Sequence, residues 1–274
     1  MYATKNPVNH RLNSKLVLFL LLIIVPIISL SGEFLANVSW QQADKLIKTK
    51  TVIIPFAAGA KEHGPHLPLS TDHIVMKHLL ELAAKKSNVI IAPAILHGWF
   101  PSFRDYPGTE ISDPTVFQNY VKSVAESLVR SGATRIVFLN MGITKATGLP
   151  LAIVARDIRA DHNIPTLIVS WDDLESEEAE YLYQQKRGGH ADEGETSIIL
   201  YLRPDLVDMT KAVKDYLTKK TQIGYAPGQF DRATEVGVYG DPTLATVEKG
   251  KILLGIMDKN WLLALKQFGQ NYKQ

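Results

Sequence analysis

The sequence predicts a three-layer α/β/α fold with a mostly parallel central sheet. Short runs rich in valine and isoleucine recur along the chain, and each is followed by a stretch with apolar residues at helical spacing. Strands apolar on both faces and separated by helices belong to parallel sheets covered on both sides. Neither an internal repeat nor a low-complexity tract interrupts the pattern, so a single domain is expected after the N-terminal leader.

In chain order, the leader comes first. Lys5, Arg11 and Lys15 precede an apolar run from Leu16 to Leu30, and Ser29-Leu30-Ser31-Gly32 supplies small residues at its exit. A basic start, an apolar centre of this length and a small-residue exit describe a secretory signal peptide. The run falls short of the roughly 20 apolar residues of a spanning helix. A cleaved signal is therefore preferred, with an uncleaved anchor over residues 16–30 as the alternative. The expected organisation is a signal peptide or anchor over 1–31 and a folded domain over 32–274. The expected location is the periplasm or the cell exterior.

Thr51 to Phe56 reads as a buried strand, and Asp72 to Ala84 as a helix from Ile74, Val75, Leu79, Leu82 and Ala83. Asn88 to Ala92 is the second strand, closed by Pro93. Pro114 to Ser131 is a long helix, with Asp113 as its cap and proline in its first turn. Arg135 to Asn140 is the third strand, Leu149 to Asp161 a helix, and Pro165 to Ser170 the fourth strand. Asp172 and Asp173 then read as helix caps. Helices around Thr196–Leu202 and Thr246–Phe268 complete the domain. Lys211 to Val236 is the least regular segment and reads as a long loop, an arm or a lid.

Composition narrows the function classes. A net charge of +2, with no basic stripe interleaved with aromatics, argues against nucleic acid. The chain has no cysteine, which removes disulfides, thiolate ligands and cysteine lipidation.

Ligands of parallel α/β sheets gather at the carboxyl ends of the strands. After the first strand stand Lys61, Glu62, His63, His66, Asp72 and His73, punctuated by Gly64 and two prolines. Imidazole and carboxylate are the ligands of Zn²⁺, Mn²⁺ or Fe²⁺ where no thiolate is present. The same loop also reads as ordinary polar surface, with Asp72 as a helix cap. Gly188 to Ser197 is the second cluster, carrying His190, Asp192, Glu193 and Glu195 at the start of an apolar helix. The helix dipole favours some of those acids without further purpose. His190, preceded by two glycines, is harder to read as decoration. Two such clusters meeting in one pocket would form a metallohydrolase site.

These residues resemble a known family. Lys61 through Asp72 is similar to the glutamate-x-histidine-glycine-proline-histidine-leucine-proline signature of the creatininase family. Tyr106-Pro107-Gly108-Thr109 looks like its phenylalanine-proline-glycine-threonine turn. His190 to Ser197 resembles its histidine-alanine-glycine-glutamate-x-glutamate-threonine-serine segment, and Gly240-Asp241-Pro242 through Gly250 its C-terminal motif. The resemblance implies a three-layer α/β/α fold, homo-oligomers up to hexamers, and hydrolysis of cyclic amides or other C–N bonds of small molecules by metal-activated water. It implies metal ligands at Glu62, His63, Asp72, His190 and Glu195, with His190 and Glu195 also catalytic.

Two positions depart from the family pattern. Lys61 stands where a ligand glutamate is usual, with Glu62 one residue later. Asn140-Met141-Gly142-Ile143-Thr144-Lys145 lacks the usual histidine after the third strand. The expected cofactor is thus one divalent ion rather than two, zinc first and manganese or iron next. Lys61 and Lys145 are expected to reach solvent; pointing inward, they would replace a cation's charge or polarise a substrate carbonyl. His66, Lys61, Trp99, Arg104 and Asn140 are candidate substrate contacts. Trp99, Phe100 and Phe103 are read as core more readily than as a substrate wall. The function read from the chain is a metal-dependent amidohydrolase. The alternative is an exported binding or scaffold protein that keeps the fold without turnover.

Overall fold

The computed structural model describes residues 1–2, 31–142, 144–216 and 234–272. The leader run over 16–30 and most of the segment read as a loop or lid lie outside the described residues, as does the Lys145 side chain. Among the described residues no helix is long and apolar enough to cross a membrane.

Five parallel strands form the sheet: β1 (Glu33–Phe34), β2 (Thr51–Phe56), β3 (Val89–Ile91), β4 (Ile136–Asn140) and β5 (Thr166–Ser170), in the order β1-β3-β2-β4-β5. The four principal strands fall where the sequence places them. The two-residue edge strand β1 is an addition, too short to leave a period of its own.

Helix α1 (Trp40–Thr49) is also an addition. A capping box starts it: Gln42 N–H donates to Ser39 Oγ at 3.4 Å, and Ser39 N–H to Gln42 Oε1 at 2.9 Å. Helix α2 spans Thr71–Lys86 and α3 Pro114–Arg130, the latter capped by Asp113 as expected. Helix α4 (Thr144–His162) starts earlier than its sequence pattern, because Pro150 lies inside it and costs one backbone bond without ending it. Helix α5 (Trp171–Glu175) is capped by Ser170 together with Asp173, whose Oδ2 accepts from Ser170 N–H at 2.8 Å. Asp172 stands in its first turn. Helices α6 (Glu193–Leu202) and α7 (Val247–Asn271) follow.

The core divides across the sheet, as the alternation of a strand requires. Along β2, Ile53 joins Val75, Leu79, Ile198, Leu253 and Trp261 beneath α2, α6 and α7. Val52, Ile54 and Phe56 join Phe117, Val121, Val154 and Ile158 beneath α3 and α4. Three layers result. The chain leaves β2 toward β3 on one side and returns to β4 on the other, so the strand order reverses beside β2. A crevice opens at such a point, between the carboxyl ends marked here by Phe56 and Asn140, which pair in register.

Candidate metal centre

The loop after β2 is built into this crevice by backbone bonds. Gly59 N–H donates to Leu96 O at 2.8 Å, Lys61 N–H to Leu69 O at 2.9 Å, and Glu110 N–H to Ala60 O at 2.9 Å. Thr109, the last residue of the Tyr106-Pro107-Gly108-Thr109 turn, accepts from Glu62 N–H at 3.0 Å and so fixes that residue's backbone. Gly64 turns the chain at φ +69°, a conformation that costs glycine little.

The second cluster meets the first. Asp192 caps α6, its Oδ1 accepting from Gly194 and Glu195 N–H at 2.9 and 3.1 Å. Its Oδ2 accepts from Gly189 N–H at 2.9 Å and Gln185 Nε2 at 2.7 Å, so this acid is committed to structure. Glu193 is committed as well: it accepts from Gln184 and Gln185 N–H and pairs with Lys249. The His190 backbone bridges antiparallel to Tyr239, which ties the loop to the C-terminal motif.

What remains points inward. His63, His190 and Glu195 each offer a ligand atom, all within 4.8 Å of one another. The His63 and His190 rings lie 4.8 Å apart, and Phe103 packs on His190 at 4.2 Å. Glu62 faces His190, with Oε2 3.2 Å from Nε2, and also accepts from Gly64 N–H. Asp72 Oδ1 lies 2.9 Å from His63 Nε2. Thus Glu62, His63, Asp72, His190 and Glu195 do converge, although Glu62 and Asp72 stand beside the three-donor group rather than in it.

Burial governs the electrostatics. It raises the Glu62 and Glu195 carboxyls to about 7 and holds His190 well below the usual imidazole range. Burial also pushes Asp72 up, but the positive charges of Lys61 and His63 outweigh it and keep that carboxyl below its ordinary value. His66 is lowered to about 4 by burial; its Nε2 bonds Thr196 Oγ1 at 2.8 Å.

The residues suit a divalent cation. His63 Nδ1 faces only the Lys61 carbonyl, at 2.9 Å, so a ring proton belongs there and Nε2 is left for a second proton or a metal ion. Nε2 faces Asp72 Oδ1 at 2.9 Å, and a proton or a metal ion shared between the two atoms is favourable there. Two imidazoles and a carboxylate are also a known catalytic zinc set with a position left for water.

Other candidates land differently. Lys61, expected to reach solvent, is 2% exposed and ion-paired to Asp72 Oδ2 at 2.8 Å; the burial of Asp72 makes that pairing the better destination for its charge. Phe100 and Phe103, read as core, also line the pocket, with their rings 5.7 and 5.4 Å from Lys61 Nζ. Asn140 is buried but bonds Gly142, Thr147 and Ser170. Trp99 is half-buried, and Arg104 is exposed beside Asp105. Sequence reasoning missed Glu175 and Gln185. Glu175 accepts from Trp171 Nε1 at 3.0 Å and from the Tyr183 hydroxyl, and together with Gln185 and Asp192 it lines a cavity of about 650 Å³ flanking the His190 loop. The position of Glu175 shortly after β5 was its one signal; Gln185 gave none.

Comparison with known proteins agrees with the geometry. Residues 36–264 match the Creatininase family, described as creatinine amidohydrolase. Creatinine amidohydrolase of Pseudomonas putida is 22% identical over 81% of this chain and 92% of its own length. The 3-dehydro-scyllo-inosose hydrolase of Thermotoga maritima is 25% identical over 81% and 78%. The mycofactocin precursor peptide peptidase of Mycolicibacterium smegmatis is 23% identical over 75% and 80%. Among solved structures, a creatininase mutant of the Zn-Zn type superposes with a TM-score of 0.74 at 21% identity, covering 86% of this chain and 98% of that one. Creatininase with manganese gives 0.73 at 20% identity, over 86% and 98%.

Proposed function

The chain belongs to the creatininase family, a family of hydrolases whose amidohydrolases act on C–N bonds, and from that premise we propose that it is a metal-dependent amidohydrolase of small molecules. The observation that carries the reading is the convergence of His63, His190 and Glu195 donors within 4.8 Å in a buried pocket. A divalent ion held by these residues, with Asp72 Oδ1 beside His63, would activate a water near neutral pH and polarise a carbonyl. Zinc or manganese fits the donor set best.

The protein's own groups supply the rest. The Lys61 carbonyl accepts from His63 Nδ1–H and orients the ring, as hydrogen-bonded partners orient ligating histidines elsewhere. Glu62, raised to about 7, is suited to take a proton from the attacking water and return it to the leaving nitrogen. His190 bonds Glu62 and holds that carboxyl in place, while Phe103 packs on His190 and keeps bulk water from the ring. The cavity lined by Glu175, Tyr183 and Gln185 flanks the His190 loop and is of a size to hold a small polar substrate.

Metal analysis of the purified protein, with hydrolysis of creatinine, other cyclic amides and short peptides, tests this. We expect bound zinc or manganese, metal-dependent release of an amine, and loss of turnover by at least about 100-fold in Glu62→Gln and His190→Ala. Protein that takes up no metal, or that turns over no amide when loaded, removes the proposal. The second outcome favours a fold retained for binding alone, a reading supported by the loss of the histidine near Gly142.

Export behind residues 1–31 and assembly as a homo-oligomer, a hexamer included, belong to the same proposal. Cell fractionation and light scattering check them.

A further inference from the structure

We infer that Lys61 is a built-in cation that takes one face of Asp72 and confines the pocket to a single divalent ion. The inference rests on the metal-site reading above and adds the ion count and the residue that sets it.

Three observations converge. The Lys61 ammonium lies 2.8 Å from Asp72 Oδ2, and the two side chains are 3% and 2% exposed. Asp72 Oδ1 faces His63. A carboxylate commonly bridges two metal ions with one oxygen on each, and here one of the two oxygens faces an ammonium.

The side of the pocket beyond Lys61 is also closed. A side chain at Gly142 would start 2.7 Å from Phe56 Cε1 and 3.2 Å from Phe100 Cε1, so aromatic rings fill the place where a ligand after β4 would begin. Phe100 is one of the two rings against which the Lys61 ammonium rests, so the lysine and the rings form one continuous plug.

Charge gives the third argument. The pocket carboxylates Glu62, Asp72 and Glu195 carry three negative charges when ionised; Asp192 and Glu193 are already committed to backbone donors, Gln185 and Lys249. Lys61 and one divalent ion supply three positive charges. A second divalent ion would leave an excess positive charge in a largely buried site, where such an imbalance is costly.

The test is a count. Full-length protein stripped with a chelator is titrated calorimetrically with Zn²⁺ and with Mn²⁺, and the loaded protein is analysed for metal. Wild type is expected to bind one ion per chain. Lys61→Arg keeps the charge and is expected to bind one. Lys61→Glu, which supplies an added donor in place of the blocking cation, is expected to bind two, the second more weakly. Should circular dichroism show that Lys61→Glu does not fold, Lys61→Met takes its place. It is expected to bind more than one equivalent at saturation and to gain more in melting temperature from Mn²⁺ than wild type does. Two ions in wild type, or one ion in a folded Lys61→Glu or Lys61→Met, overturn the inference. No ion in wild type overturns the metal-site reading beneath it.

Discussion

Glu175 shows how far one buried carboxyl departs from its behaviour in water. It sits between Trp171 and Tyr183 with Asp192 and Glu195 nearby, and burial raises it to about 7 from 4.5. A folded-state pKa above the unfolded value means that the native protein holds the proton more tightly. Its stabilising contribution is present below about 4.5 and is lost as pH rises through about 7. A shift of that size is worth at most about 3 kcal/mol. Glu175→Gln imitates the protonated form at every pH. Relative to wild type it should therefore gain stability by up to about 3 kcal/mol on going from pH 5 to pH 8. Denaturant melts of both proteins at the two pH values check this, and a difference that does not change with pH refutes the burial argument. The residue types of the candidate site were legible in the sequence as two clusters of imidazole and carboxylate, within which the family resemblance singled out His63, His190 and Glu195 together with Glu62 and Asp72. The direction of a long side chain was not. Lys61 has enough freedom to reach either solvent or Asp72, and only the burial of its partner, a tertiary fact, decides between them.

At the scale of elements, the placement of Glu195 depends on how α6 meets α7. Gly250 lies where the two helices cross, and a Cβ there would overlap the Ser197 carbonyl. Ser197 in turn bonds Glu193 O at 2.6 Å and accepts from Thr246 N–H at 3.1 Å, so the crossing also holds the start of α7. Lys249 reaches back to Glu193 at the first turn of α6. The C-terminal motif thus acts on the metal site without touching it, by fixing the helix that carries Glu195. Gly250→Ala should push the helices apart and cost about 1–3 kcal/mol, as overpacking does. Because α6 moves, it should also weaken metal binding. A variant with wild-type stability and metal affinity would show that the crossing yields freely. The periodicity of valine and isoleucine revealed β2 to β5, and helical spacing revealed the long helices. Edge strand β1 and helix α5 were too short for any period to show. Helix α1 did have a signal, the Ser39/Gln42 capping box, in a stretch where only one residue, Ile47, is buried.

Across the whole molecule, the parallel topology separates the pocket from the point where the N-terminal segment joins. The site occupies the carboxyl ends of β2, β4 and β5, whereas Gly32 precedes β1 and so lies with the amino ends of the same strands. Two bonds fix that junction: Gly32 N–H to Ala84 O at 2.7 Å, near the end of α2, and Lys50 Nζ to Ser31 O at 2.6 Å. Among the described residues, the core residues of both hydrophobic layers lie after this junction. Whether a leader is cleaved or stays in a membrane, the proposal requires a domain that folds and holds its ion from Ser31 onward. A chain beginning at Ser31 should keep its melting temperature within about 2 °C of the full-length protein and its metal stoichiometry unchanged, because it keeps both hydrophobic layers of the described residues. Ser31 O is retained in that chain, so the Lys50 bond survives. A drop of about 5 °C or more, or loss of the bound ion, would show that residues 1–30 belong to the folded unit, and the division of the chain at residue 31 would fall with it.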